Sequence, residues 1–389
     1  RKDMIRYAEA VLDGHPDKFS DLIADRIIGE AYCFDDEAYG QVEVGLWSDR
    51  IWLSGGVATR RSFTTAIRDL VVEVGTSIGY TPENHIDVEN YHIDNQICFI
   101  TDDPRPWTQS VNDQAICIGW AGYDEQTHYL PPEQFLVHYL RQTLIEALKD
   151  GPLSGEGPDG KLLVRIREDA AGWKLEHILC TLQHRLETPL LDLTTGVIEI
   201  LSAAYANLQH NNPRWCRVWN DVELLVNPNG PLVDAGSDGD NGQTGRKLVM
   251  DYYGPRIPIG GGALSGKDLT HIDRAGAYAA RRAALDAVQS GAQSCQVTLA
   301  YAPNQDEPLD IYYDMKGRGN RWSPDAFPHA NIRTISGEFR DLELLGTGCH
   351  FFDQTLPWNL PQPRHGHYSS FAIRQEPDRG LSPQLRSNP

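Results

Sequence analysis

The chain is poor in the features that mark several protein classes. Its seven cysteines (Cys33, Cys98, Cys117, Cys180, Cys216, Cys295 and Cys349) are odd in number, lie far apart, and form neither a CxxC pair nor zinc-ligand spacing. A disulfide framework and a structural zinc site are therefore not indicated, and most of these thiols read as small buried apolar residues. No apolar run reaches the roughly 18 residues that a membrane-spanning helix needs, and no signal peptide is visible. A soluble, cytoplasmic chain with no membrane partner is the expectation. Positive charge is scarce too: 35 Lys and Arg face 54 Asp and Glu, a formal net charge of -19. Such a surface repels nucleic acid and polyphosphates alike. No nucleic-acid partner is expected, and any phosphate site has to concentrate its own cations.

At 389 residues and 40% hydrophobic, the chain is long enough for two or three domains with sizeable cores. Short segments of period two alternate with segments of helical period from end to end, which indicates an α+β fold. Phe19, Leu22, Ile23, Ile27 and Ile28 share one helical face over 17–32. Residues 42–57 read as two strands around Ser48-Asp49-Arg50, and a second helix is expected over 63–78. A similar order recurs as a helix over 132–148, a hairpin over 161–184 turning near Gly172, and a helix over 192–208. A third pass has a strand near 223–226, a helix over 272–290, and strands over 296–301 and 309–313. Proline- and glycine-rich tracts at 102–107, 151–160 and 357–363 punctuate this order. The expected units are 1–105, 106–231 and 232–389.

Three segments are unusually dense in Gly, Asp, Lys and His. The first, Asp13-Gly14-His15-Pro16-Asp17-Lys18, opens the first helix. A helix start offers free N–H groups that suit phosphate, Lys18 adds a cation and Asp17 can hold a divalent metal, although a capped helix start explains the residues equally well. The second runs from Gly236 to Lys247, with glycines that let a ligand approach the backbone and with Arg246 and Lys247 to clamp phosphate oxygens. An ordinary acidic loop or a calcium turn would also account for the composition, but the segment does not fit an EF-hand, because those two cations stand where further acidic ligands are needed. The third is Gly260-Gly261-Gly262-Ala263-Leu264-Ser265-Gly266-Lys267-Asp268, followed by His271 and Asp273. It lacks the Ser or Thr after the lysine of a Walker loop, so a P-loop NTPase is disfavoured. What remains is a glycine loop carrying Lys267 toward an anion, with Asp273 free for metal, or else a structural glycine turn.

These motifs resemble the S-adenosylmethionine synthetase family. GHPDK at 14–18, preceded by Glu9, is similar to the family's opening motif; GDNGQTGRKLVMDYYG at 239–254 and GGGALSGKDLTHIDRAGAYAAR at 260–281 resemble its glycine motifs. The resemblance runs through nearly the whole chain and implies three similar sheet-plus-helix domains in a pseudo-threefold arrangement. It also implies adenosyl transfer from ATP to the sulfur of methionine, with triphosphate expelled and then cleaved. Carried over by motif, His15 meets the leaving 5′ oxygen, and Lys18, Arg246 and Lys267 hold the polyphosphate. Asp159, Lys161, Asp240, Lys247 and Ala263 join the ATP contacts. Asp17 and Asp273 are the implied Mg2+ ligands and Glu43 the K+ ligand, hard oxygen donors that suit both ions. Homodimers or homotetramers with active sites between subunits are implied as well.

The sequence departs from the family around the amino-acid substrate. Val57 stands where the family has a glutamate after a glycine pair, and His271 where it has a lysine; Gln109 aligns only loosely with the mobile-loop glutamine, and Leu232 replaces an aromatic residue. Val57, Asp113, Asp240 and His271 form the implied acceptor pocket. A charged head group that loses its partners binds less well. Three readings therefore stay open: methionine adenosylation by a divergent site, adenosylation of another thioether or related nucleophile, and a catalytically silent nucleotide-binding subunit.

Overall fold

The computed structural model describes residues 3–216 and 218–360. The last part of the 357–363 tract and of the 232–389 unit thus lies outside the described residues. In chain order the elements are β1 (Met4–Val11), α1 (Pro16–Phe34), β2 (Tyr39–Trp47), β3 (Arg50–Thr59), α2 (Ile67–Ile78), β4 (His92–Thr101), α3 (Arg105–Thr108), β5 (Ala115–Gly122) and α4 (Pro132–Asp150). They continue as β6 (Gly160–Glu168), β7 (Trp173–Leu182), α5 (Leu190–Asn211), β8 (Trp215–Cys216), β9 (Glu223–Val226), β10 (Gly242–Gln243), α6 (Leu248–Asp251), α7 (Ile272–Gln289), β11 (Ala292–Tyr301), β12 (Asp310–Gly317), α8 (His329–Ile332) and α9 (Leu342–Gly346). The helices expected from apolar periodicity are all present. The second begins late, at Ile67, and Phe63 ahead of it packs instead on Phe34 and Phe99.

The α+β chain builds three sheets. The first has β1, β6, β7 and β8 in order with β9 also on β7; the second runs β10-β2-β3-β4; the third runs β12-β11-β5. Each sheet is covered by helices: α4 and α5 on the first, α1 on the second, α7 on the third. The strands are exchanged cyclically among the stretches 1–105, 106–231 and 232–389. The first stretch lends β1 to β6, the second lends β5 to β11, and the third lends β10 to β2. Among the described residues, no helix is long and apolar enough to cross a membrane.

Helix and strand backbones approach closely where α7 meets the third sheet. Its buried face is largely alanine (Ala275, Ala279, Ala280, Ala283, Ala284 and Ala287), so little side chain stands between helix and strand. Gly119 on β5 completes the fit, since a Cβ there would lie 2.0 Å from the carbonyl carbon of Ala280. Overpacking such a contact costs about 1–3 kcal/mol or more. Gly119→Ala is expected to lower stability by at least that amount in urea unfolding, whereas Gly230→Ala, with nothing within 4 Å of its Cβ, pays only for a positive φ.

Candidate active site

Helix α1 starts under His15, whose backbone is extended (φ -60, ψ 136) and whose Nδ1 accepts the Asp17 N–H at 3.1 Å. A ring nitrogen that accepts an N–H carries no proton, so the imidazole is neutral and its hydrogen sits on Nε2. Burial, followed by the charge of Lys247, lowers its pKa to about 4, with Asp17 and Asp240 opposing. His15 Nε2 lies 3.9 Å from Asp240 at the solvent-exposed rim. Asp17 is 1% exposed; its Oδ1 accepts the Gln243 N–H at 2.9 Å, Oδ2 takes the Lys247 ammonium, and Arg246 Nε is 3.7 Å away. Burial pushes this carboxyl up, but the bonds from Lys247 and Gln243 outweigh it and the net shift is downward. Asp159 accepts the Gly236 N–H at 2.9 Å, and burial lifts its pKa to about 6. Lys161, exposed on β6, adds positive charge toward both His15 and Asp159.

A second cluster repeats this arrangement at the start of α7. His271 caps that helix with φ -55 and ψ 134, and its Nδ1 accepts the Asp273 N–H at 3.2 Å. Lys267 donates to Asp273 and to the Ala263 carbonyl, both at 2.7 Å. Burial lowers the pKa of His271, assisted by Lys267 and opposed by Asp273, Asp268 and Asp113. Gly262 leaves room for the Asp273 carboxyl, whose carbon a Cβ there would meet at 2.1 Å and displace. Each cluster thus has a histidine cap, an aspartate two residues on, and a lysine at the end of a glycine loop paired with that aspartate.

The repeat extends beneath the surface. The residue after each aspartate is a fully buried cation: Lys18 pairs with Asp21 and Asp251, and Arg274 pairs with Asp25 at 2.8 Å. Asp21 also accepts the Gly245 N–H at 3.0 Å and Asp25 the Gly266 N–H at 2.9 Å, so two α1 carboxylates pin the two loops. Burial alone would lower the Lys18 pKa, but Asp21 and Asp251 hold it raised; burial in turn lifts Asp21 to about 7. Both loops also rest on the outer edge of β2. Thr244 N–H donates to Val44 O at 3.0 Å, Val42 N–H to Gly266 O at 2.7 Å, and Asp268 N–H to Gly40 O at 2.9 Å. A Cβ on Gly245 would lie 2.7 Å from the Cβ of Ala263, so the loops touch.

The residues singled out from sequence therefore fall into distinct positions. His15, Asp17, Asp159, Lys161, Asp240, Arg246 and Lys247 gather at the first loop; Ala263, Lys267, His271, Asp273 and Asp113 gather at the second. Glu43 takes the Thr244 hydroxyl on the β2 edge. Lys18 is not at this surface: it is 0% exposed and enclosed by carboxylates. Val57, 1% exposed, belongs to the apolar core, Gln109 pairs with Glu37 at 3.3 Å, and Leu232 N–H donates to His184 at 3.1 Å. Sequence reading passed over Asp21, Asp25, Asp251 and Arg274. A signal existed in α1, where Asp17, Asp21 and Asp25 recur every four residues on one face.

Residues 3–99 match the family model described as S-adenosylmethionine synthetase, N-terminal domain, and residues 235–335 match the C-terminal domain of the same family. A Methylobacterium nodulans protein described as S-adenosylmethionine synthase is 32% identical over 396 residues, 98% of this chain and 96% of the relative. One of that description from a Ruegeria species is 32% identical over 389 residues, 96% and 94% of the two chains. Another from Acholeplasma laidlawii is 32% identical over 327 residues, covering 80% and 81%.

Removing one partner of a buried ion pair leaves the other uncompensated, at a cost of about 3–5 kcal/mol. Lys18→Met is expected to lose that much in chemical denaturation because Asp21 and Asp251 remain behind. A loss below about 1 kcal/mol would show that the two carboxylates need no cation.

Proposed function

Because this chain belongs to the S-adenosylmethionine synthetase family, we propose that it transfers the adenosyl group of ATP to the sulfur of methionine and cleaves the expelled triphosphate to phosphate and diphosphate. The observation that carries this reading is the neutral Nε2–H of His15 beside Arg246 and Lys247, with the Lys267 loop touching theirs. In the transfer, a sulfur lone pair forms the S–C5′ bond while the C5′–O5′ electrons leave with the triphosphate. The product is a sulfonium, so no proton has to move. What the site must supply is alignment and a donor aimed at the oxygen where charge develops. His15 is that donor, and Arg246, Lys247, Lys267 and Lys161 hold phosphate oxygens. Asp159, Asp240 and Ala263 complete the ATP side.

Magnesium fits the residues present. It takes one or two carboxylates and fills its remaining positions with water and substrate phosphate. Asp17 and Asp273, which pair here with Lys247 and Lys267, would supply one carboxylate each, and Asp17 is held ionised. When bound, magnesium supplies countercharge to the departing triphosphate. Glu43, a carboxylate on the β2 edge, is the residue for potassium. The apolar side chains exposed on the open sheet faces, among them Tyr7, Trp52, Ile116 and Tyr312, support a homodimer or homotetramer with active sites between subunits. A cytoplasmic location accompanies this reading.

A second reading, transfer to another thioether or related acceptor, is favoured by Val57 and His271. The first is sealed in the core and the second is a neutral cap, so neither offers charge to a zwitterion. Phosphate and diphosphate release from ATP and magnesium, measured with and without methionine, separates the readings. Stimulation by methionine is expected; turnover that methionine leaves unchanged selects the other acceptor, and no turnover with any acceptor selects a silent subunit.

Two further outcomes test the role of His15. Loss of a single preorganised donor costs about 10²–10³-fold in kcat, so His15→Ala is expected to fall by that factor. With a pKa near 4, the ring stays neutral down to about pH 5 and charges only as the pH falls through 4. The pH profile of adenosyl transfer should therefore lack a histidine inflection near pH 6.5. An inflection there that disappears in His15→Ala would contradict the assignment.

A further inference from the structure

Tyr80 is a fully buried tyrosine that takes no part in the chemistry above, yet its hydroxyl reaches the turn that carries His15. It follows α2, whose C-terminus is closed by Gly79 in the left-handed region (φ 102), and the Tyr80 N–H returns to Gly75 O at 2.8 Å. This closure turns the next side chain back toward the core. The ring lies 4.4 Å from that of Phe19 on α1, and the hydroxyl donates to Gly14 O at 2.7 Å. Burial raises its pKa well above the usual value, so the hydroxyl keeps its proton and can act as a donor.

The Gly14 carbonyl and the His15 N–H belong to one rigid peptide plane. Tyr80 holds the carbonyl end and Leu12 O holds the N–H end at 3.1 Å. With both ends tied, rotation of the plane is blocked, and the φ of His15 is set from outside its own helix. Space is tight on either side. A Cβ at Gly14 would lie 2.2 Å from the Cβ of Pro158, and one at Gly236 would lie 2.8 Å from the Tyr80 hydroxyl. Gly236 is also the residue whose N–H binds Asp159. Tyr80 therefore stands where the His15 turn, the segment before Lys161 and the loop bearing Asp240 meet.

We propose that Tyr80 is a positioning residue for adenosyl transfer: by tying the Gly14–His15 peptide it fixes the direction in which Nε2 of His15 points. The inference rests on the reading of His15 as the donor to the leaving oxygen. Tyr80 is buried behind the site and also meets the loop at Gly236 and Ser237, but the peptide its hydroxyl bonds is the one that carries His15, so its effect on the transfer is expected chiefly through that residue. Small displacements of a catalytic group cost one to two orders of magnitude in rate.

The test is a double-mutant cycle with Tyr80→Phe, which removes one oxygen atom and leaves the ring on Phe19. In an otherwise native chain we expect kcat for S-adenosylmethionine formation to fall about tenfold, with KM for ATP within about twofold. In a His15→Ala background the same change is expected to have no further effect, since the two act as one unit. Thermal unfolding of each variant, followed with magnesium and ATP, shows whether the fold is kept, and the histidine ring 15N spectrum reports His15 directly if turnover is too slow. An unchanged kcat and unchanged His15 resonances in Tyr80→Phe overturn the proposal, as does an equal loss in both backgrounds. Failure of the native chain to make S-adenosylmethionine would instead sink the underlying functional reading.

Discussion

Two carboxylates one turn apart on α1, Asp21 and Asp25, hold the functional surface together. Each accepts an N–H from a glycine loop above it, and each is neutralised from the side by a buried cation, Lys18 or Arg274. A buried carboxylate without a cation is costly, and a glycine loop without an anchor is mobile. The arrangement solves both at once. The outer edge of β2 adds the second constraint, because the two loops donate to and accept from successive positions of that strand. The spacing of the loops is thus inherited from the strand rather than from their own sequences.

This substructure accounts for the electrostatic character of the site. A chain of net charge -19 presents a repulsive average field to ATP. Locally, however, the acidic side chains of the scaffold are spent inward on Lys18, Arg274 and loop amides, whereas Arg246 and Lys161 remain exposed. The two histidine caps extend the economy. Because Nδ1 of each is consumed by its own helix, each ring offers a hydrogen-bond donor without adding a full charge.

Much of this was legible in the sequence, for identifiable reasons. Helices such as α1 and α7 bury a long face and so show their period, and the hairpins β2–β3 and β6–β7 carry clear alternation. Strand β4 was missed because nearly all its residues are exposed, which leaves no period-two signal, and β10 is only two residues long. The glycine motifs were legible because Gly, Asp, Lys and His are rarely so dense together. The burial of Lys18 was not, since Asp251 lies 233 residues away and nothing local distinguishes an enclosed ammonium from an open one. Tyr80 escaped notice for the same reason: its partner Gly14 is 66 residues distant.

The cyclic lending of strands among the three sheets bears on how the chain comes to be. Each sheet remains unfinished until a segment from another part of the polypeptide arrives, and the third sheet waits for residues near the end of the described chain. Pairings between distant segments must overcome loop-closure entropy before they gain anything. Synthesis from the N-terminus therefore leaves strand edges uncovered until these segments emerge, and the cation-bearing loops can reach α1 and β2 only after the two earlier stretches have been made. On this topology the surface that bears the two loops is joined by contacts that span 224 and 241 residues of sequence.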